Sequence, residues 1–216
     1  MLQIWGRRTS SNVQALMWCV GELGLEYERH DAGHIYGMTD TKQFYEMNPN
    51  RTVPVLRDEN GPFLWETGAV LRYLSATYGN NAFWPEDVAK KALIDMWAEW
   101  AKINIAMSFT GSVFWRVVRT PEDQRDPAAI EKALAAFHTK LKIAEDRLQD
   151  NFWLCGRDFT LADIQFGHVL FRYFDIDIER PDWPMLRAYF DRLMKRSAYC
   201  EHVAISYEEL RGSPPN

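Results

Sequence analysis

The chain has 216 residues, 47% of them hydrophobic, with 9 Trp, 12 Phe and 9 Tyr, which is enough to bury a full core and excludes an intrinsically disordered polymer. Its 25 basic and 30 acidic residues give a net charge of -5, so it lacks the cationic footprint of a nucleic-acid or anionic-membrane binder. The length suits one large or two modest domains. A notable uncharged run, Ile103 to Trp115, contains Asn104, Ser108, Thr110 and Ser112 and is too short and too polar to span a bilayer. The start, Met1 to Arg8, has no apolar stretch of signal-peptide length, and its charges follow the apolar residues, so a cytoplasmic protein is expected. Cys19, Cys155 and Cys200 form neither a Cys-x-x-Cys pair nor a metal cluster, and an odd count argues against a full disulfide framework. Cys19, among Met17, Trp18 and Val20, reads as a buried structural thiol. His30, His34, His138, His168 and His202 show no ligand spacing, so no metal is expected.

In chain order, Leu2 to Trp5 reads as a first strand, and the loop Gly6 to Asn12 leads into a helical stripe of Val13, Leu16, Met17, Val20 and Leu23 that stops at Gly24. Tyr27 to Asp31 is a second strand, followed by an irregular Gly33 to Gly37. Thr39 or Asp40 caps a short helix bearing Phe44 and Met47, which Asn48-Pro49-Asn50 ends. Val53 to Leu56 and Phe63 to Trp65 flank the turn residues Asp58 to Gly61 and form a hairpin. A helix over Gly68 to Tyr78 follows, carrying Val70, Leu71 and Leu74. Strand signals fade from Pro85 onward. Leu93, Trp97, Trp100 and Ile103 make one helical stripe, and Ile130, Leu134, Phe137, Leu141, Ala144 and Leu148 make another, with a polar connection Arg119 to Pro127 between them. Thr160-Leu161-Ala162-Asp163 reads as a capping box, stapled by Phe159 and Ile164. Leu186, Tyr189, Phe190 and Leu193 form a last stripe, and Gly212 to Asn216 reads as a loose tail.

The hairpin carries the clearest functional signal. Pro54 cannot donate to a ladder, so it belongs at a strand edge or start, and a cis Val53-Pro54 bond is predicted. That geometry turns the Val53 backbone outward, where an extended peptide can pair with it as an added strand. Glu66 and Thr67 then stand at a helix N-terminus, where free N–H groups and the macrodipole favour a carboxylate and Glu66 can hold an ammonium. A zwitterionic amino-acid end fits there.

These residues resemble the glutathione site of the glutathione transferase family, which pairs an N-terminal thioredoxin-like α/β domain with an all-α helical-bundle domain. The βαβ-α-ββα order matches the former, and the resemblance places the domains at 1–79 and 86–211. By the same resemblance Val53 and Pro54 meet the cysteinyl backbone of glutathione, and Glu66 and Thr67 hold its γ-glutamyl end. Arg51 can meet the glycyl carboxylate, aided by Thr52 or Gln43. The Thr160 to Asp163 box resembles the helix-nucleating box of the family's C-terminal domain. Activation of the thiol falls to the loop before the first helix. Ser10-x-Asn12 resembles bacterial members, the Nu class among them, in which a hydroxyl and an amide approach the sulfur. Ser10 is the first choice of donor and Asn12 the second, with Ser11 and Thr9 as substitutes, and one of the four is expected to cap the helix instead. The loop has neither the cysteine of the Beta and Omega classes, nor the Ser-Ser-Cys-Ser run of the Zeta class, nor an activating tyrosine.

The resemblance implies a cytoplasmic, homodimeric detoxification enzyme that uses glutathione as co-substrate against a small electrophile, with no metal. The dimer face is expected around Phe83, Trp84, Leu93 and Trp97 with Arg72, Glu86 and Lys90. The electrophile pocket is expected between the domains, walled by Met107, Phe109, Phe114, Trp115 and the segment His34 to Met38. Glutathione-dependent reduction of disulfides or peroxides, and a non-catalytic binding module on the same fold, are the alternatives.

Overall fold

The computed structural model describes residues 1–213. Four strands, β1 (Leu2–Trp5), β2 (Tyr27–His30), β3 (Val55–Asp58) and β4 (Phe63–Trp65), form one mixed sheet in the order β2-β1-β3-β4. β1 runs parallel to β2 and antiparallel to β3, and β3 pairs antiparallel with β4. A parallel pair needs a crossover, and α1 (Ser11–Glu22) supplies it. With α2 (Lys42–Met47) and α3 (Thr67–Tyr78) this is the thioredoxin-like arrangement that the element order implies. Gly24, at φ +63°, follows α1 as its stop, and the hairpin closes on a Gly61 N–H to Asp58 C=O bond of 2.8 Å. The cap of α2 is Thr41, not Thr39 or Asp40. Its hydroxyl accepts from the Phe44 N–H at 3.1 Å and donates to the Met38 carbonyl at 2.7 Å, which fixes the helix start one residue later.

The remaining chain is helical: α4 (Val88–Trp100), a short α5 (Met107–Phe109), α6 (Pro127–Arg147), α7 (Leu161–Gly167), α8 (Leu170–Asp175), α9 (Pro184–Leu193) and α10 (Ser197–His202). Ala101–Ala106 and Thr110–Arg119 are π-helical, so α4 and α5 belong to one long, locally widened rod. Its buried face corrects the expected stripe. Leu93 and Ile103 are exposed, and Ile94, Ala98, Ala101 and Ile105 face the core. Both sets have helical spacing, but the smaller side chains let α4 approach α7 closely. The α6 and α9 stripes are buried as their periodicity predicts, apart from the half-buried Ile130. Cys19 is fully buried, and burial pushes its thiol pKa up.

One hydrophobic core runs continuously through both halves, with α1 packed against α3, α7 and α10. The predicted tail is tied down where it is described. The Gly212 N–H donates to the Val118 carbonyl at 2.9 Å, and the Ser213 carbonyl accepts from Arg119 Nε at 2.7 Å; Pro214 to Asn216 lie outside the described residues. Among the described residues, no helix is long and apolar enough to cross a membrane.

The capping box is present, and its aspartate does more than cap. Asp163 is fully buried and accepts from the Thr160 N–H (2.8 Å), the Thr160 hydroxyl (3.1 Å), the Leu154 N–H (2.8 Å) and the Tyr189 hydroxyl (2.9 Å). It thereby joins the start of α7 to the preceding loop and to α9. Removing it strands several buried donors at about 1 to 3 kcal/mol each, so Asp163→Ala is expected to cost at least about 3 kcal/mol. Urea denaturation checks this, and an unchanged midpoint would contradict it.

Candidate functional site

The loop between β1 and α1 is folded by its own backbone. The Gly6 N–H donates to the His30 carbonyl at 2.9 Å, the Arg7 N–H to Ala32 at 3.1 Å, and the Ser10 N–H back to Arg7 at 3.2 Å, closing a turn. Only glycine fits at position 6, because a Cβ there would stand 2.5 Å from Val13 Cγ2. The turn delivers Ser10 to the N-cap position of α1. Ser10 is 9% exposed, yet its side chain makes no capping hydrogen bond. The cap position is therefore occupied by a hydroxyl not used for capping.

Two adjoining cavities open along this loop. One, of about 300 Å³, is lined by Arg7, Ser10, Asn12, Gly33, His34, Thr39, Arg51, Thr52 and Val53 from the sheet domain and by Trp115 and Arg119 from the helical domain. The other, of about 220 Å³, is lined by Ser11 and Asn12 together with Lys102, Ala106, Met107, Thr110, Gly111 and Trp115. Asn12 and Trp115 line both. The predicted residues thus separate into groups. Ser10, Asn12, Arg51, Thr52 and Val53 share one cavity, and Ser11 looks into its neighbour. Pro54, Glu66 and Thr67 line neither, nor does Thr9, whose hydroxyl donates to Glu209 and whose carbonyl accepts from Arg172 Nη2 at 2.6 Å. Of the expected walls, Met107 and Trp115 line the cavities, whereas Phe109 and Phe114 are core residues packed on each other with ring centroids 6.1 Å apart. Of the segment His34 to Met38, His34 contributes to the lining.

The Val53–Pro54 peptide is cis, as the placement of the proline predicts. Val53 lies two residues ahead of β3, so its backbone stands outside that strand. Thr52 is fixed by Asn48, whose Nδ2 donates to the Thr52 carbonyl at 2.8 Å, and Arg51 hydrogen-bonds the Thr39 and Asp40 carbonyls from beside the Tyr45 ring. Gln43 is exposed on α2 and lines neither cavity. Glu66 is exposed and holds φ +66° at the N-cap of α3, and Thr67 behind it is buried. A left-handed conformation in a non-glycine residue is costly and clusters at functional positions.

The lining also holds residues that the sequence does not single out, and Lys102 is the first of them. Lys102, on the first π-helical segment, donates from Nζ to Asn12 Oδ1 at 3.0 Å. An ammonium only donates, so the Asn12 oxygen must face it, which leaves the Asn12 amide N–H groups for other acceptors. Burial pulls the Lys102 pKa down, and Glu66 and Glu99 oppose that pull. Lys102 thus brings positive charge to the start of α1, where the helix dipole already favours an anion.

The chain matches the family profile "Glutathione S-transferase, N-terminal domain" over residues 1–76 and "Glutathione S-transferase, C-terminal domain" over residues 106–197. It is 32% identical over 206 residues to glutathione S-transferase GstB of Escherichia coli K12, covering 95% of this chain and 99% of that one. The chain belongs to the glutathione S-transferase family. Among solved structures, this transferase superposes on the theta class glutathione S-transferase of Xanthomonas axonopodis pv. citri with glutathione bound, at a TM-score of 0.90 and 40% identity, covering 95% of this chain and 98% of that one. The apo form of the same protein gives a TM-score of 0.82 and 36% identity over 95% and 97% of the two chains.

Other cavity residues of the transferase absent from the sequence reading are Arg7 and Arg119. Arg119 opens the stretch whose polarity predicts a connection, but it is buried at the end of the second π-helical segment with its guanidinium 5.7 Å from the Trp115 ring. A spacing of four from Trp115 to Arg119 was the available signal. It does not announce a site, because the partner surface comes from the other domain.

Proposed function

We propose that this glutathione transferase binds glutathione along the cleft between its two domains and ionises the thiol for attack on a small electrophile. The observation that carries this reading is the Ser10 hydroxyl, held at the head of α1 without a capping bond and lining a cavity with Asn12 and Val53. A thiol of pKa about 8.5 is only a few per cent ionised at neutral pH, and lowering it by about 2 units takes roughly 2.7 kcal/mol of preferential thiolate stabilisation. The Ser10 hydroxyl, the Asn12 amide that Lys102 orients, and the α1 dipole are three sources of it. Ser11 is the reserve donor, and Thr9, committed to Glu209, is a structural residue. Val53 and Pro54 receive the cysteinyl backbone, Glu66 and Thr67 the γ-glutamyl end, and Arg51 with Thr52 the glycyl carboxylate.

The family match favours transfer over the reductase and scaffold alternatives, and the absence of a cysteine from the activating loop fits that preference. Free thiols at Cys19, Cys155 and Cys200 fit a reducing cytoplasm, where conjugation serves detoxification.

The reading predicts a separation of rate from affinity. Glu66→Ala is expected to weaken glutathione binding by roughly 1.5 to 3 kcal/mol, because an ion-paired ammonium loses its partner. Ser10→Ala is expected to cost about 2.7 to 4 kcal/mol in turnover, less what Ser11 and Asn12 restore, with little change in affinity. Calorimetry with glutathione and turnover of a chlorinated aromatic acceptor, run beside a hydroxyethyl disulfide substrate, measure both. Equal effects of the two substitutions on rate and affinity would contradict these assignments, and faster disulfide turnover would favour the reductase.

A homodimer is part of the same reading, with two residues of the expected face withdrawn. Phe83 is core, and Arg72 is paired within the chain to Asp95 (2.6 Å) and Glu99. Leu93 of the expected face stays exposed, and Met96 and Ile103 along the same α4 rod join it, each more than half exposed. Light scattering at micromolar concentration is expected to give twice the chain mass, and Met96→Glu is expected to shift it toward monomer. A monomeric wild type would refute the dimer.

A further inference from the structure

We infer that Glu209 is a positioning residue for glutathione, an inference that rests on the transferase reading. Its carboxylate, carried by the helical domain, sets the Ser10 hydroxyl through Thr9 and the His34 wall of the cleft through Tyr36.

Glu209 sits on a 3-10 turn, Glu208–Leu210, that the core holds from below. Leu210 and Tyr207 are buried, the Tyr207 ring lies 5.2 Å from that of Phe114, and the Tyr207 hydroxyl donates to Asp175. The chain just beyond is pinned as well, by the Gly212 N–H on the Val118 carbonyl and by Arg119 Nε on the Ser213 carbonyl. Glu209 itself is half-buried and uses both of its oxygens. Oε1 accepts from the Thr9 hydroxyl and Oε2 from the Tyr36 hydroxyl at 3.2 Å, and the same carboxylate pushes the Tyr36 pKa up.

The two donors stand beside two separate parts of one cavity's lining. Thr9 precedes Ser10, Tyr36 follows His34 by two residues, and Ser10 and His34 both line the cavity of about 300 Å³. The loop at Thr9 has a second support in the Arg172 bond to its carbonyl. The segment Gly33 to Met38 is less well supported. It closes on itself, the Gly33 N–H donating to the Gly37 carbonyl at 2.8 Å, and its residues Ile35 to Met38 are exposed. His34 and Met38 hold φ of +57° and +72°, a conformation that a non-glycine residue keeps only when its surroundings impose it. Two of its side chains reach the helical domain, and both end on the same short stretch: Tyr36 on Glu209, and His34, whose Nε2 lies 3.4 Å from Ser213 Oγ. A wall with so little burial keeps its shape through such contacts. Loss of the Thr9 arm therefore moves the sulfur donor and acts on turnover, whereas loss of the Tyr36 arm loosens the wall and acts on binding.

The test measures kcat and the KM for glutathione with chlorodinitrobenzene as acceptor, together with the titration of the bound thiol. Tyr36→Phe removes one hydroxyl from an exposed residue and is expected to raise the KM for glutathione about threefold to tenfold, with kcat within about twofold of the wild type. Thr9→Val is expected to do the reverse, lowering kcat about threefold to tenfold and raising the pKa of the bound thiol with little change in KM. Glu209→Ala is expected to show both effects, and adding Tyr36→Phe to it is expected to change KM no further. Glu209→Gln is expected to restore most of both, because the amide oxygen still accepts from Thr9 and the amide N–H donates to the Tyr36 oxygen. A Glu209→Ala enzyme with wild-type kcat, KM and thiol titration overturns the inference, as does an equal rise in KM from Tyr36→Phe with and without Glu209. If Glu209→Ala fails to fold, the two single variants carry the test, and wild-type constants in both overturn it. A wild type that neither binds glutathione nor turns over chlorodinitrobenzene overturns the transferase reading and this inference with it.

Discussion

The site depends on how the start of α1 is locked to the helical domain. Thr9 does this with two groups, its carbonyl taking a hydrogen bond from the buried Arg172 and its hydroxyl giving one to Glu209. Ser10, one residue on, is left with its hydroxyl free of any capping role and facing the cleft, and Asn12 meets Lys102 from the opposite wall. A loop hydroxyl used for anchoring and a neighbouring hydroxyl left out of the helix cap are two outcomes of one turn, whose tightness comes from Gly6 against Val13. The continuous core beneath, with α1 between α3, α7 and α10, keeps the two domains from drifting apart at this point.

Charge is distributed against the average of the chain. A net charge of -5 hides a cleft whose charged lining is Arg7, Arg51 and Arg119, bordered by Lys102. Burial lowers the proton affinity of Arg7, Lys102 and Arg119, and that of Arg172 to about 9. A thiolate and a tripeptide with two carboxylates suit such a cleft.

What the sequence reveals is mostly what short stretches decide for themselves. The hairpin, the cis proline, the Glu66-Thr67 pair at α3 and the Thr160 to Asp163 box are each written within about a dozen residues, and each is present, with the first hairpin strand shifted from Val53–Leu56 to Val55–Asp58. Contacts between distant segments are not written that way. Thr9 reads as a sulfur donor in sequence because its partner lies 200 residues on, and Lys102 carries no signal there because Asn12 is 90 residues away. The buried α4 face is not legible in sequence because two faces share helical spacing and only the approach of α7 chooses between them. The π-helical segments add a phase shift that a fixed period of 3.6 does not follow, which is also why Phe109 and Phe114 turned inward while Met107 and Trp115 remained at the cavities.

The central claim is that the head of α1 holds glutathione as its thiolate. Thiolate absorbance of glutathione bound to the wild-type protein, titrated across neutral pH, measures that directly. The account predicts an apparent pKa about 2 units below the ordinary thiol value of about 8.5, so that the bound sulfur is largely ionised at pH 7. A bound thiol that titrates together with free glutathione would contradict it.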